Sequence, residues 1–245
     1  MPLRAWASHV QPVHTELPLR EQAWIDHNRE FVEKASGGRI AYVYLSDMES
    51  LGMEQFIRQF YAQMDKQALL VDERWNGGGF IDQILLERLR RVLVGLDTDR
   101  ERAPQTIPQQ LIVGPKVCLI NHYSGSDGDI FPFFFRKYGI GPLIGTRTWG
   151  GVRGIRGEWM LLDGGYITIP EDALYGPNSQ WVLENHGVEP DMTVDDSPAD
   201  WQAGHDVQLE AGVSYLLDEL KKHPGGLPPP PPPLPAYPPE NEHGR

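Results

Sequence analysis

The chain has 245 residues, 40% of them hydrophobic and 23% charged, the balance of an ordinary soluble protein with enough apolar mass for a real core. Its 34 acidic residues outnumber 22 basic ones, a net charge of −12 that opposes partnership with nucleic acid or an anionic membrane. One cysteine, Cys118, excludes an internal disulfide framework and fits a reducing, cytoplasmic setting, and there is no run of 18 apolar residues to cross a bilayer.

Apolar spacing predicts a helix over residues 17–35, carrying Leu17, Trp24, Ile25, Phe31 and Val32 and stopped by Ser36-Gly37-Gly38. Residues 39–45 read as a strand, 50–66 as a helix and 68–72 as a short buried strand. Asn76-Gly77-Gly78-Gly79 makes a sharp turn before a helix over 80–94. Residues 95–115 are polar, contain Pro104, Pro108 and Pro115, and are expected to be a connecting loop. A strand over 116–121, a helix from Ser126 to about Tyr138 and a strand over 142–145 follow. Residues 158–170 read as a β-hairpin turning at Asp163-Gly164-Gly165, and 208–222 as a last helix with Asp206 near its start.

Strands separated by helices of this length imply an α/β fold with a largely parallel sheet and crossover helices. Ten of the 22 prolines lie between Pro224 and Pro239, so the end of the chain is expected to be an extended, flexible polyproline tail. The expected organisation is an N-terminal segment and helix over 1–38, an α/β domain over 39–223 and the Pro-rich tail over 224–245.

Three segments could carry chemistry. In Asn121-His122-Tyr123-Ser124-Gly125-Ser126-Asp127-Gly128-Asp129, a serine at a strand–turn–helix junction lies near exposed N–H groups and the positive end of a helix. The plainer role for Ser124 or Ser126 is a helix N-cap. In Asp72–Gly79, three glycines let backbone N–H groups approach an oxyanion or a phosphate, and phosphate is disfavoured because a P-loop lysine is absent. The plainer alternative is a tight turn. In Trp181–Asp191, Glu184 could orient a base, or sit as an exposed strand residue. Asp127, Asp129, Glu184 and His186 could also be read as metal ligands, without the two-histidine spacing of a helical zinc motif.

Taken in order, Asp72–Phe80, Ser124–Phe131, Gly145–Gly151 and Glu184–Asp191 resemble the catalytic C-terminal domain of the tricorn-type proteases, relatives of the C-terminal processing (tail-specific) peptidases. The resemblance covers roughly residues 10–222. It implies a ClpP/crotonase-like fold, a peptide substrate, no cofactor and no metal. It makes Ser126 the nucleophile of acyl transfer, places the oxyanion hole at the N–H of Asp127 with that of Gly79 or, second, Gly78, and assigns Glu184 to the relay behind the base. In that family the base is a histidine preceded by a serine in an upstream segment. Ser8-His9 has the right pair in the wrong context, so the base is expected from upstream domains or another chain, and this chain alone is expected to be a poorly active fragment. A hexameric ring is implied for the family, and so a homo-oligomer here. A non-catalytic peptide-binding or assembly module on the same fold is the alternative. Acidic residues after the second helix favour basic substrate side chains in the family; Asp97 and Asp99 lie in that region and neither is assigned.

Overall fold

The computed structural model describes residues 12–99 and 101–232. Ser8-His9 and the end of the Pro-rich tail lie outside the described residues. Helix α1 (Leu17–Ser36) ends on Gly37 at φ 60°, a left-handed position that suits glycine. Then follow β1 (Ile40–Tyr44), α2 (Ser50–Phe60), β2 (Ala68–Asp72), α3 (Asp82–Leu89), the short strands β3 (Gly95–Asp97) and β4 (Gln105–Ile107), β5 (Lys116–Ile120), α4 (Asp127–Lys137) and β6 (Leu143–Gly145). The chain continues through β7 (Ile155–Met160), β8 (Tyr166–Pro170), β9 (Met192–Thr193), α5 (Pro198–Ala203) and α6 (Val207–Lys222).

Five strands make one sheet in the order β1-β2-β5-β6-β9, every neighbour parallel. Its strands are apolar on both faces, as a sheet covered on both sides requires. Alternate residues divide between two cores. Ala41, Val43, Leu69, Val71, Cys118 and Ile120 pack with residues of α2, α3 and α4, whereas Ile40, Tyr42, Ala68, Leu70, Val117 and Leu119 pack with α1 and α6.

The outer flank of β1 is closed by side chains. Gln55, Gln59 and Gln63 recur every fourth residue on α2 and its following 3-10 turn, so they share one face. Gln63 accepts from the Tyr42 N–H (3.1 Å) and donates to the Tyr42 carbonyl (2.8 Å). Gln59 does the same at Tyr44 (2.9 and 3.3 Å), and Gln55 accepts from the Ser46 N–H (2.9 Å). The three amides stand in for a neighbouring strand.

Several expected boundaries move. The helix expected over 50–66 ends at Phe60 and finishes as a 3-10 turn, Tyr61–Gln63. The one expected over 80–94 is only Asp82–Leu89; Val92 and Val94 are apolar yet exposed, so they add no buried stripe to extend it. The expected loop at 95–115 contains the antiparallel pair β3–β4. The β7–β8 hairpin forms as expected but begins at Ile155, and its Trp159, Met160, Leu162 and Tyr166 are exposed.

Candidate active site

Strands β2 and β5 are neighbours, with Asp72 opposite Leu119, so the loops that follow them leave the carboxyl edge of the sheet side by side. Buried polar groups lock the two loops together. Ser124 Oγ donates to the Glu73 carbonyl (2.8 Å), the Gly125 N–H to the Asn76 carbonyl (3.0 Å), and Asn121 Oδ1 accepts from the N–H groups of Trp75 and Tyr123, both at 3.1 Å. Asn76 Nδ2 donates to the Leu45 carbonyl (2.9 Å) while its Oδ1 accepts from the Gly78 N–H (2.9 Å), which fixes the glycine turn. That turn lies directly on Ser126: a Cβ on Gly78 would stand 2.5 Å from Ser126 Cβ and 3.0 Å from its Oγ. Only glycine fits there.

Ser126 sits half-buried at the N-cap position of α4 with φ 59° and ψ −120°, a conformation that L side chains rarely adopt. It occupies the cap position without capping. Its hydroxyl makes no capping bond, and among the described residues it has no hydrogen-bond partner. Ser124, the other candidate cap, is spent on Glu73. The Ser126 N–H donates to the Gly151 carbonyl (3.0 Å). Among the described residues no partner meets the N–H of Asp127 or of Gly79, whereas the N–H of Gly78 is engaged by Asn76.

The third and fourth segments close around this loop. Trp149 donates its N–H to the Ser124 carbonyl (2.9 Å), Gly150 to Asp129 Oδ1 (2.8 Å), and Asn185 to the Gly150 carbonyl (2.7 Å). Glu184 is half-buried and its Oε2 accepts from the N–H groups of Val152 (3.0 Å) and Arg153 (2.9 Å). It therefore grips the segment whose Gly151 carbonyl holds Ser126. Glu184 is flanked by Leu183 at φ 72° and Asn185 at φ 61°, strained positions of the kind that gather at functional sites.

A cleft of about 250 Å³ opens at Ser126, walled by Ile130, Phe134, Val152 and Leu174 and edged by Gly79 and Asp82. Among the described residues no histidine lines it. His122 is exposed against the Tyr123 ring, and exposed His186 lies 3.7 Å from Glu189. Nor do the carboxylates converge as ligands: among the described residues no three His, Cys, Asp or Glu side chains are grouped to hold a metal ion.

Sequence reasoning named Asp127 and Asp129 but missed their burial and the pairing of Asp127 with Asp82. Asp82 and Asp127 are the first residues of α3 and α4, and the Asp82 N–H donates to Asp127 Oδ2 at 3.3 Å. Burial, then the charge of Asp82, pushes the Asp127 carboxyl up to about 8. Burial also raises Asp82 and Asp129. Glu73 is fully buried with both carboxyl oxygens unpartnered among the described residues; burial and then the charges of Asp129, Asp72 and Asp127 hold it well above the carboxylate range. Raised in this way, the Asp127 carboxyl carries less negative charge at neutral pH than an ordinary carboxylate. Sequence spacing carries no signal for burial of this kind. Arg74 was overlooked as well. It is fully buried, bidentate to both Asp72 (2.8 and 2.7 Å) and Asp206 (both 2.8 Å), and so ties the loop after β2 to the start of α6.

A parallel sheet with an uncommitted, strained serine at a helix mouth is an architecture of hydrolytic enzymes, and the comparisons agree. Residues 39–194 match the model of Peptidase family S41, and the chain belongs to that family. Within it the chain is similar to Tricorn protease homolog 1 of Streptomyces coelicolor, 41% identical over 220 residues, which are 90% of this chain and 21% of that protein. It is 39% identical over 210 residues to the tricorn protease of Thermoplasma acidophilum, covering 86% of this chain and 20% of that one. A crystal structure of the tricorn protease superposes with a TM-score of 0.79 at 39% identity, over 83% of this chain and 20% of that chain. The chain thus spans about a fifth of the length of the relatives it matches.

Proposed function

We propose that this chain is the nucleophile-bearing catalytic domain of a cytoplasmic serine peptidase that hydrolyses oligopeptides. The observation that carries the reading is the Ser126 hydroxyl, which has no hydrogen-bond partner among the described residues and lines one cleft with Asp127 and Gly79, whose N–H groups likewise have none there. In this mechanism the Ser126 Oγ attacks a peptide carbonyl and gives up its proton to a base. The carbonyl oxygen becomes an oxyanion held by the Asp127 and Gly79 N–H groups, the amine leaves with a proton, and water then hydrolyses the acyl-serine. Each oxyanion donor is worth about 3–4 kcal/mol of barrier. Glu184 is the relay carboxylate. The base is a histidine supplied from outside the described residues, either upstream or on another chain; without it a serine at its free pKa is a weak nucleophile. No cofactor takes part.

The test pairs a peptide–fluorophore substrate with a serine-directed fluorophosphonate, applied to this chain alone and with the upstream portion of a longer relative such as the tricorn protease. Turnover and labelling are expected only with that portion present, and Ser126→Ala removes both. Robust Ser126-dependent turnover by this chain alone refutes the external base. No labelling in either mixture favours the alternative, a peptide-binding or assembly module, for which the histidine-free cleft is the supporting observation.

A further inference from the structure

Five aromatic rings form a platform beside the carboxyl edge of the sheet. Trp24 meets Tyr44 and Trp75 edge-on, with ring centres 5.1 and 5.4 Å apart; Trp75 lies nearly parallel to Tyr123 at 6.5 Å, and Trp201 closes the group at 6.4 Å from Trp75. Arg74 fixes the platform from within, its guanidinium 5.5 Å from the Trp24 ring and 5.3 Å from that of Trp75. Trp75, Trp201 and Tyr123 nevertheless remain 38%, 42% and 61% exposed. Two clefts, of about 490 and 160 Å³, share Trp24 and Trp201 and run from Leu17 on α1 into the seam between α1 and α6. A rigid, ridged aromatic groove suits polyproline II, which arrives already extended and loses little entropy on docking.

The same chain carries such a ligand. Six consecutive prolines, Pro228–Pro233, precede Leu-Pro-Ala-Tyr-Pro-Pro at 234–239. Its own groove is badly placed to take it. The chain leaves α6 at Lys222, the far end from Trp201 of a 16-residue helix about 24 Å long. It then crosses beneath the sheet, with Gly225 against Gln67 and Gly114, the residues just before β2 and just ahead of β5. Leu227 rests beside Met64, Gln105 and Leu111, in the layer opposite α1 and α6. A proline rod is stiff over several residues and does not double back from there. Reaching outward is easier for a polyproline segment, which spans about 3.1 Å per residue.

We propose that the aromatic groove of one copy receives the Pro-rich tail of a second copy, making a tail-to-groove contact between chains. This contact is independent of the peptidase reading, since it uses neither Ser126 nor Glu184. The test is sedimentation velocity on the full chain over a range of concentrations, with and without a synthetic peptide of residues 227–245. The contact requires concentration-dependent association that the peptide competes away, with saturable quenching of tryptophan fluorescence. Trp201→Ala weakens both at least tenfold, Trp201→Phe retains them in large part, and Trp159→Ala on the exposed β7–β8 hairpin changes neither. A chain that stays monomeric throughout, an association indifferent to the peptide, or peptide binding that survives Trp201→Ala overturns the proposal. The first two readouts need no variant and so stand even if Trp201→Ala fails to fold.

Discussion

The backbone of Ser126 is strained, as a trade of stability for the proposed function requires. Its φ of 59° and ψ of −120° belong to a region natural to glycine, and strain of this kind costs about 1–3 kcal/mol. Ser126→Gly is therefore expected to stabilise the fold by roughly 1 kcal/mol after glycine's own entropy cost, read as a rise in urea midpoint, while the fluorophosphonate labelling expected with the upstream portion present disappears. Ser126→Ala keeps the strain and leaves the midpoint near that of the parent chain. The residue also shows what a sequence discloses. Its motif marks the place, but a serine opening a helix reads equally as a cap, and only the missing capping bond separates the two. Gly78 and Gly79 are alike in sequence; they differ because Asn76 folds back on one N–H and leaves the other.

Helices α3 and α4 each begin with an aspartate, and the Asp82 N–H meets the Asp127 carboxyl where the N-termini converge. The folded-state pKa of Asp127, about 8, lies above the ordinary carboxylate value near 4 in the unfolded chain. Its contribution to stability is thus complete below about pH 4 and declines as pH rises through 8. Asp127→Asn, neutral throughout, is expected to flatten the fall in melting temperature between pH 5 and 9; an unchanged slope would contradict the shared burial. At this scale the long elements were legible, and of the short strands β6 was expected while β3, β4 and β9 were not. Helix α1 has twenty residues and a glycine stop, and β1, β2 and β5 are mainly apolar runs of five residues. Strands β3 and β4 have three residues each amid Pro104 and Pro108, and β9 has two, too few to display a period. They exist through pairing that local sequence does not encode.

Across the molecule, Arg74 joins elements far apart in the chain, since its partner Asp72 ends β2 and its partner Asp206 caps α6. Arg74→Met strands one fully buried and one largely buried carboxylate without a cation and is expected to cost about 3–5 kcal/mol, measured by urea denaturation. A loss below 1 kcal/mol would mean that water reaches the pair. The glutamine row on α2 has a different reach. With the backbone of Tyr42 and Tyr44 already spoken for, an extended peptide has nowhere to zip onto that border of the sheet. Both borders of the sheet consequently resist incoming strands: fibril-like stacking is blocked along β1, and at the opposite border β9 offers just two residues of backbone to grasp.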